Sequence, residues 1–359
     1  MRVLIITRAT LFTSIGGDTV QVLHTAAQLE KLNVVADVRL ANQSINYSAY
    51  DLMHFFNLIR PADILPHVRN TRIPYVVTPL MVDYSEFDRQ HRKGISGKLF
   101  RFFSADQIEY AKTIARWAKG QQDLGGYSYL MQGQRRGVEE ILRKAVLLLP
   151  NSQSEYDKMV GSYPVVPPCR VIPNGVDPAI FHNSVVPKKD DHMVLCVARL
   201  EGLKNQINLI KALNDTAYEL YIIGNPATNQ QSYYRECRKL ASVNIHFVKH
   251  LPQCELIPFY TSAKVHVLPS WFETCGLSSL EAAAMGCQVI ITDRGYASEY
   301  FRDLAYYCEP SSPDSIREMV SRACAAPPPE ELRQKVLSDF TWPNAALKTK
   351  EAYLKAVRL

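Results

Sequence analysis

The chain opens on a short apolar run, VLIIT at 3 to 7, followed by a helical stretch from about Asp18 to Lys31. Further apolar runs follow: VVADVRL from Val34, DLMHFF at 51 to 56, PYVVT at 74 to 78 and VLLLP at 146 to 150. Short apolar strands alternating with helices predict a parallel α/β sheet. A second alternation begins at MVLCVARL and runs through YELYIIG, IHFV, VHVLP and QVIIT. The architecture repeats, but the sequence does not.

The two halves meet in PVVPPCRVIPNGVDPAIFHNSVVPKKDD, whose prolines and polar residues suit a linker. The expected boundary lies near His182, giving domains 1–182 and 183–341. A chain of 359 residues also exceeds what one ordinary core organises. After DFTWPNAALKTKEAYLKAV passes Trp342 and Pro343, residues 342–359 read as an amphipathic helix whose partner face the periodicity does not assign. The stretch from Asp83 to Gln134 is long for an α/β connection, and long excursions are often functional. It holds an expected helix from about Asp106 to Lys119.

Composition narrows the classes. Hydrophobic residues make up 47% and charged residues 21%, the balance of a chain that folds. The first apolar run is too short for a signal-peptide core or a membrane span, so the expected location is the cytoplasm. All eight cysteines fall from Cys169 onward with no CxxC pair and no zinc spacing, which predicts reduced thiols, no disulfide and no metal cluster. The formal charge is +6, and seven basic residues (Arg92, Lys93, Lys98, Arg101, Lys112, Arg116, Lys119) crowd one segment that holds only Asp106 and Glu109 as acids. With Phe100, Phe102 and Phe103 beside them, two readings stand. One is weak, salt-sensitive association with an anionic membrane, at the inner face; the other is aromatics packed into the first domain with solvated lysines outside. Nucleic acid is not an expected partner.

The chemistry concentrates in VHVLPSWFETCGLSSLEAAAMGCQVIIT, from Val265 to Thr292. A strand ends at Pro269, a loop follows, and a helix from about Leu277 to Met285 is stopped by Gly286. Loops at carboxyl strand ends bind ligands in open α/β sheets. The amides of Gly276, Leu277 and Ser278 then suit a phosphate, because a helix N-terminus offers unsatisfied donors. Glu273 and Glu281 flank the turn, and carboxylates accept from vicinal sugar hydroxyls. The plainer reading makes Glu281 a first-turn acid and Glu273 a solvated loop residue.

This segment resembles the E-x(7)-E signature of the family 4 retaining glycosyltransferases, with Cys275 where an aromatic is commoner. VARLEGLKNQ adds a second match: Arg199 and Lys204 correspond to the pair that neutralises the donor diphosphate in that family. Gly224 in YIIGN and Leu251 in HLPQCEL resemble positions beside the nucleotide, and Asn174 lies in PNGVD, similar to the segment linking the family's domains. Gly16 and Gly17 do not make a G-x-G-x-x-G fingerprint; a GG loop at this place is the family's cleft loop, while on residues alone a plain turn is the alternative. His54 and Asn57 lie at the end of the third strand, where the family often has histidines on the acceptor side. The family's histidine after PYVVT is missing, leaving Asp83 and Glu86 as acceptor-side candidates and the general base unassigned.

The resemblance implies the GT-B fold, two Rossmann-like domains facing a cleft, with the nucleotide-sugar donor in the C-terminal one. It implies retaining transfer of a sugar from UDP-sugar or GDP-sugar to a saccharide or lipid-linked saccharide acceptor, in polysaccharide or glycoconjugate synthesis, with no metal or other cofactor. Expected roles are Arg199 and Lys204 on the leaving diphosphate, Glu273 on the transferred sugar and Glu281 on the ribose. Two rivals remain: a GT-B phosphorylase or epimerase, and a catalytically silent paralogue that binds or stabilises another transferase.

Overall fold

A computed structural model of the chain describes residues 1–83, 87, 103–120, 122, 124, 127–181 and 188–358, with residues 127 and 128 as backbone alone. The first unit runs β1 (Arg2–Thr7), α1 (Gly17–Lys31), β2 (Val35–Leu40), β3 (Leu52–Phe56), α2 (Pro61–Asn70), β4 (Tyr75–Thr78), α3 (Ala105–Ala118), α4 (Tyr127–Lys144), β5 (Leu147–Leu148) and α5 (Gln153–Ser162). Its sheet is parallel throughout in the order β2-β1-β3-β4-β5, with Val3 beside Leu52 and Met53 beside Tyr75. Every residue of β3 and β4 is buried, as expected for strands covered on both faces.

The second unit continues with β6 (Asp190–Val197), α6 (Gln206–Leu213), β7 (Glu219–Ile223), α7 (Gln231–Leu240), β8 (Ile245–Val248), α8 (Gln253–Ser262), β9 (Ala263–Leu268), α9 (Leu277–Ala284), β10 (Gln288–Ile291), α10 (Ser298–Phe301), β11 (Tyr306–Tyr307), α11 (Pro313–Ala325) and α12 (Glu330–Asp339). Its strand order is β11-β10-β9-β6-β7-β8, again all parallel. The two-residue edge strand β11 is too short to register as an apolar run, and the sequence reading lacks it.

Both sheets reverse direction of growth once. The first grows to one side through β2 and to the other through β3, so its switch point lies between β1 and β3; the second switches between β6 and β9. In open α/β sheets the crevice outside the carboxyl ends at such a switch is where ligands bind.

The chain passes from the first unit to the second at Asn174–Gly175, not near His182, which lies outside the described residues. The reason is packing: Val176 and Phe181, inside the proline-rich segment, are already buried in the second core. A Cβ on Gly175 would stand 2.5 Å from the Phe340 carbonyl, so only glycine admits this approach. The last helix, α13 (Trp342–Ala356), returns to the first unit. It lies on α1, where the Trp342 ring stacks on His24 at 5.1 Å, and Lys350 donates to the Leu32 carbonyl at 2.9 Å.

Candidate functional site

At the switch point of the second sheet two loops leave adjacent strands. One follows β6 through Arg199 and a single 3-10 turn, Gly202–Lys204, into α6; the other follows β9 from Pro269 to Gly276. They are tied together by the Asn205 amide, which donates to the carbonyls of Pro269 (3.0 Å) and Pro310 (2.7 Å), and by Trp271 N–H donating to Leu203 O at 2.9 Å. Asn205 takes a left-handed conformation, φ 59°, to make that turn.

The tie brings Lys204 onto Glu273. Its ammonium donates to Glu273 Oε1, which also accepts from Ser270 Oγ at 2.6 Å. The backbone of Glu273 is held as well, its N–H donating to Arg294 O (3.0 Å) and its carbonyl accepting from Tyr296 N–H (2.8 Å). Between those two residues Gly295 sits at φ 112°, where a Cβ would come within 2.2 Å of Glu273 O. Ser270 and Gly295 were missed in the sequence. The signal was a glycine just past QVIIT, a strand ending at the same edge as the acidic loop.

Gly276 begins α9 at φ 67°, and the amides of Gly276, Leu277 and Ser278 receive no partner from within the described chain. Cys275 is buried in the core beside α9, so the change from an aromatic alters core filling and leaves Gly276 and both acids in place. One turn along the helix, Glu281 is buried with both carboxylate oxygens engaged, by Gln253 Nε2 at 2.7 Å and Tyr260 OH at 2.9 Å. Burial pushes its pKa up to about 7 against the pull of those two donors. Gln253 and Tyr260, both on α8, are further residues the sequence reading did not contain.

Arg199 is in the same loop as Lys204 but is half-exposed and paired with Glu201 at 2.9 Å. Gly224 closes β7 against that loop, where a Cβ would stand 2.0 Å from Ala198 O, and Asn225 Oδ1 accepts from His250 N–H at 3.2 Å. Leu251 follows that contact and packs its half-buried side chain on the core. The structure therefore brings Arg199, Lys204, Gly224, Glu273 and the start of α9 to one sheet edge, with Glu281 one turn further along the helix. Gly16, Gly17 and Asn174 belong to the other unit.

In that first unit several expectations are corrected. His54 is fully buried, with Nδ1 2.7 Å from Tyr353 OH and Nε2 2.8 Å from Thr78 Oγ1. Both ring nitrogens are satisfied and burial pushes the pKa down to about 3, so the ring fixes α13 to the sheet and has no valence for an acceptor. Gly16 is extended (φ −151°) at the start of α1, a conformation any residue adopts, so positive-φ freedom is not what the GG loop uses. That loop is held instead by Arg8, which donates to Thr10 O (2.8 Å), Ser14 O (2.7 Å) and both Asp18 oxygens. Asn57 turns at φ 73° with a buried Oδ1 that has no partner. Asp83 lies 3.5 Å from Lys158, and Glu86 falls outside the described residues. Buried Glu155, on α5, accepts from the amides of Met81 and Asn151, each at 2.7 Å, and so fixes the ends of β4 and β5.

The basic excursion is also revised. The expected helix forms as α3, but Lys112 pairs with Glu109 at 2.7 Å and Arg116 turns inward onto Gln122 (2.8 Å) and Thr113 (2.9 Å). Lys119 and Phe103 are exposed; Arg92, Lys93, Lys98, Phe100, Arg101 and Phe102 lie outside the described residues. Among the described residues no helix is long and apolar enough to cross a membrane, and no three His, Cys, Asp or Glu side chains gather as metal ligands.

Residues 179–336 match the family model described as glycosyl transferases group 1. Among curated proteins, the chain is 28% identical over 190 residues to a D-inositol 3-phosphate glycosyltransferase of Acidothermus cellulolyticus, covering 46% of this chain and 42% of that one. It is 29% identical over 250 residues to a glycogen synthase of Mycobacterium tuberculosis, covering 65% and 60%. The matches thus span between two fifths and two thirds of those relatives' length. Among solved structures, a sucrose-phosphate synthase of Thermosynechococcus elongatus superposes with TM-score 0.76 at 15% identity, covering 99% and 98% of the two chains. Anabaena HepE, solved with UDP and glucose, gives 0.69 at 15%, covering 99% and 100%. The fold is GT-B.

Proposed function

We propose that the chain is a retaining glycosyltransferase that moves a sugar from a nucleoside diphosphate to a hydroxyl acceptor in polysaccharide or glycoconjugate synthesis. The observation that carries this is the Lys204–Glu273 pair, held at the switch point beside the open amides of α9. An ammonium and a helix N-terminus on one edge suit a diphosphate whose bond to the sugar is breaking, because charge developing on the leaving oxygens is stabilised there without reorganisation. Glu273, tied to Lys204 and Ser270, is a fixed acceptor for sugar hydroxyls, and Glu281 is a fixed acceptor for ribose. Arg199, freed from Glu201 by a competing phosphate, adds a second cation.

In this scheme the cations come from side chains, so transfer is metal-independent; activity lost in excess EDTA and restored by magnesium would overturn that part. Supporting the nucleotide class, HepE is titled as a complex with UDP and UDP-glucose, and the curated relatives are named as glycosyltransferases or a synthase. Arg199, Lys204, Glu273 and Glu281 are all present in the chain, which favours an active enzyme over a silent paralogue.

The deciding experiment is a panel of UDP- and GDP-sugars scored by thermal stabilisation and then by transfer, with the product's anomeric configuration read by NMR. A donor at a hundred times its Kd adds about 2.7 kcal/mol to stability. No stabilisation by any member, or product of inverted configuration, sinks the reading.

A further inference from the structure

At the switch point of the first sheet, between β1 and β3, the described residues leave a buried guanidinium short of hydrogen bonds. Arg8 follows β1, and Arg60 stands at the start of α2 after β3. Arg60 is 9% exposed; its Nε lies 2.9 Å from Asp63 Oδ2 without hydrogen-bond geometry, and its Nη2 is buried with no partner. Asp63 Oδ2 and Asn57 Oδ1 are likewise unpartnered. The other Asp63 oxygen accepts from Gln122 Nε2 at 2.9 Å, and Gln122 in turn accepts from Arg116 Nε at 2.8 Å. Arg116 is therefore linked to Asp63 through the Gln122 amide, while Arg60 faces the same carboxylate directly. Among the described residues Asp18 is taken by Arg8 and Glu109 pairs with Lys112.

A buried guanidinium left without hydrogen bonds is costly, and a chain that keeps one has a use for it. The planar fork matches the oxygens of a phosphate or carboxylate. We propose that Arg60, backed by Arg116, binds an oxyanion carried by the acceptor, at the N-terminal unit's own ligand crevice. The diphosphate of the donor is provided for in the other unit, by Lys204 and α9. That the oxyanion belongs to an acceptor rests on the transfer reaction proposed above; the anion site itself does not.

The test uses the full chain with Arg199→Ala and Lys204→Ala, so that donor-side phosphate binding is removed, titrated calorimetrically with inorganic phosphate. Saturable binding is expected, weakened at least tenfold by Arg60→Met and several-fold by Arg60→Lys; Arg60→Met within twofold of its parent overturns the site. Should Arg60→Met fail to fold, the Arg60 Nε–H resonance of the unsubstituted chain reports instead: it moves with phosphate saturation if the site exists and stays still if it does not. Glucose 6-phosphate, glucuronate and glucose as competitors separate the sources: displacement by the first alone assigns phosphate, by the second alone carboxylate, and by glucose equally well refutes an anion site. In turnover, Arg60→Met is expected to raise acceptor KM at least tenfold with kcat nearly unchanged and donor Kd unmoved. Phosphate binding without any sugar transfer would sink the transfer reading and spare the site, whereas transfer indifferent to Arg60→Met would sink the acceptor assignment alone.

Discussion

The two units use the same sheet design for opposite ends. In the C-terminal unit the polar side chains at the switch point hold one another: Lys204 on Glu273, Ser270 on Glu273, two donors on Glu281. At the corresponding strand ends of the N-terminal unit, His54, Glu155 and Arg8 are spent on fastening loops and the last helix. On the proposed donor reading, a diphosphate and a ribose are the same in every donor of a class, so short fixed motifs would serve them. In the proposed reaction the N-terminal unit would meet an acceptor, which has no such constant part, and side chains there are free to become structure.

The sharpest way to break this contrast is to substitute across it. Glu273→Gln keeps the shape and neutralises the partner of Lys204; Lys204→Ala removes the cation. Each is expected to lower kcat/KM with a verified donor by a hundredfold or more, equivalent to about 2.7 kcal/mol of transition-state stabilisation. His54→Asn, measured alongside, should leave kcat/KM within about threefold per folded molecule. Equal losses on both sides would erase the distinction between the units.

Glu281 sharpens the comparison through pH. Its folded pKa, about 7, lies above the usual carboxylate value, so its contribution to stability is fully present below about pH 4.5 and lost as pH rises through about 7. Ribose hydroxyls need the ionised form as acceptor, so donor affinity runs the other way. Between pH 8 and pH 6 the Kd for a nucleoside diphosphate sugar, whose diphosphate does not titrate there, should weaken by roughly tenfold. Glu281→Gln should abolish both slopes. A donor Kd flat across that range in the unsubstituted chain would remove Glu281 from the ribose.

Legibility followed the same division. The strand alternation was readable because buried parallel strands leave continuous apolar runs, and the E-x(7)-E segment because its acids sit at fixed distance across one loop and one helix. Gly295, Gln253 and Tyr260 were not, since each acts from a different loop or helix and only folding places it on Glu273 or Glu281; Ser270, in the same loop as Glu273, is one hydroxyl among several and belongs to no motif. His54 misled for the converse reason. A polar residue in a strand run looks like a site residue until its partner appears, and Tyr353 lies 299 positions away. Arg60 offered no pattern at all; its importance is a missing hydrogen bond, which no sequence displays.

The smallest expected effect tests that long-range pair. Tyr353→Phe deletes the hydroxyl that meets His54 Nδ1 and leaves a buried ring nitrogen unpaired, while preserving the packing of the ring itself. The expected loss is about 1 kcal/mol of stability, roughly 2–4 °C in Tm for a domain of this size. Because the His54 pKa is held near 3 and burial raises that of Tyr353, neither group changes charge between pH 6 and pH 8. The difference from the unsubstituted chain should therefore be constant across that range, and kcat/KM and acceptor KM should not move. A destabilisation that grew toward pH 6 would mean that His54 protonates in the folded chain. A rise in acceptor KM would return His54 to the acceptor side, where its place in the sequence first suggested it belonged.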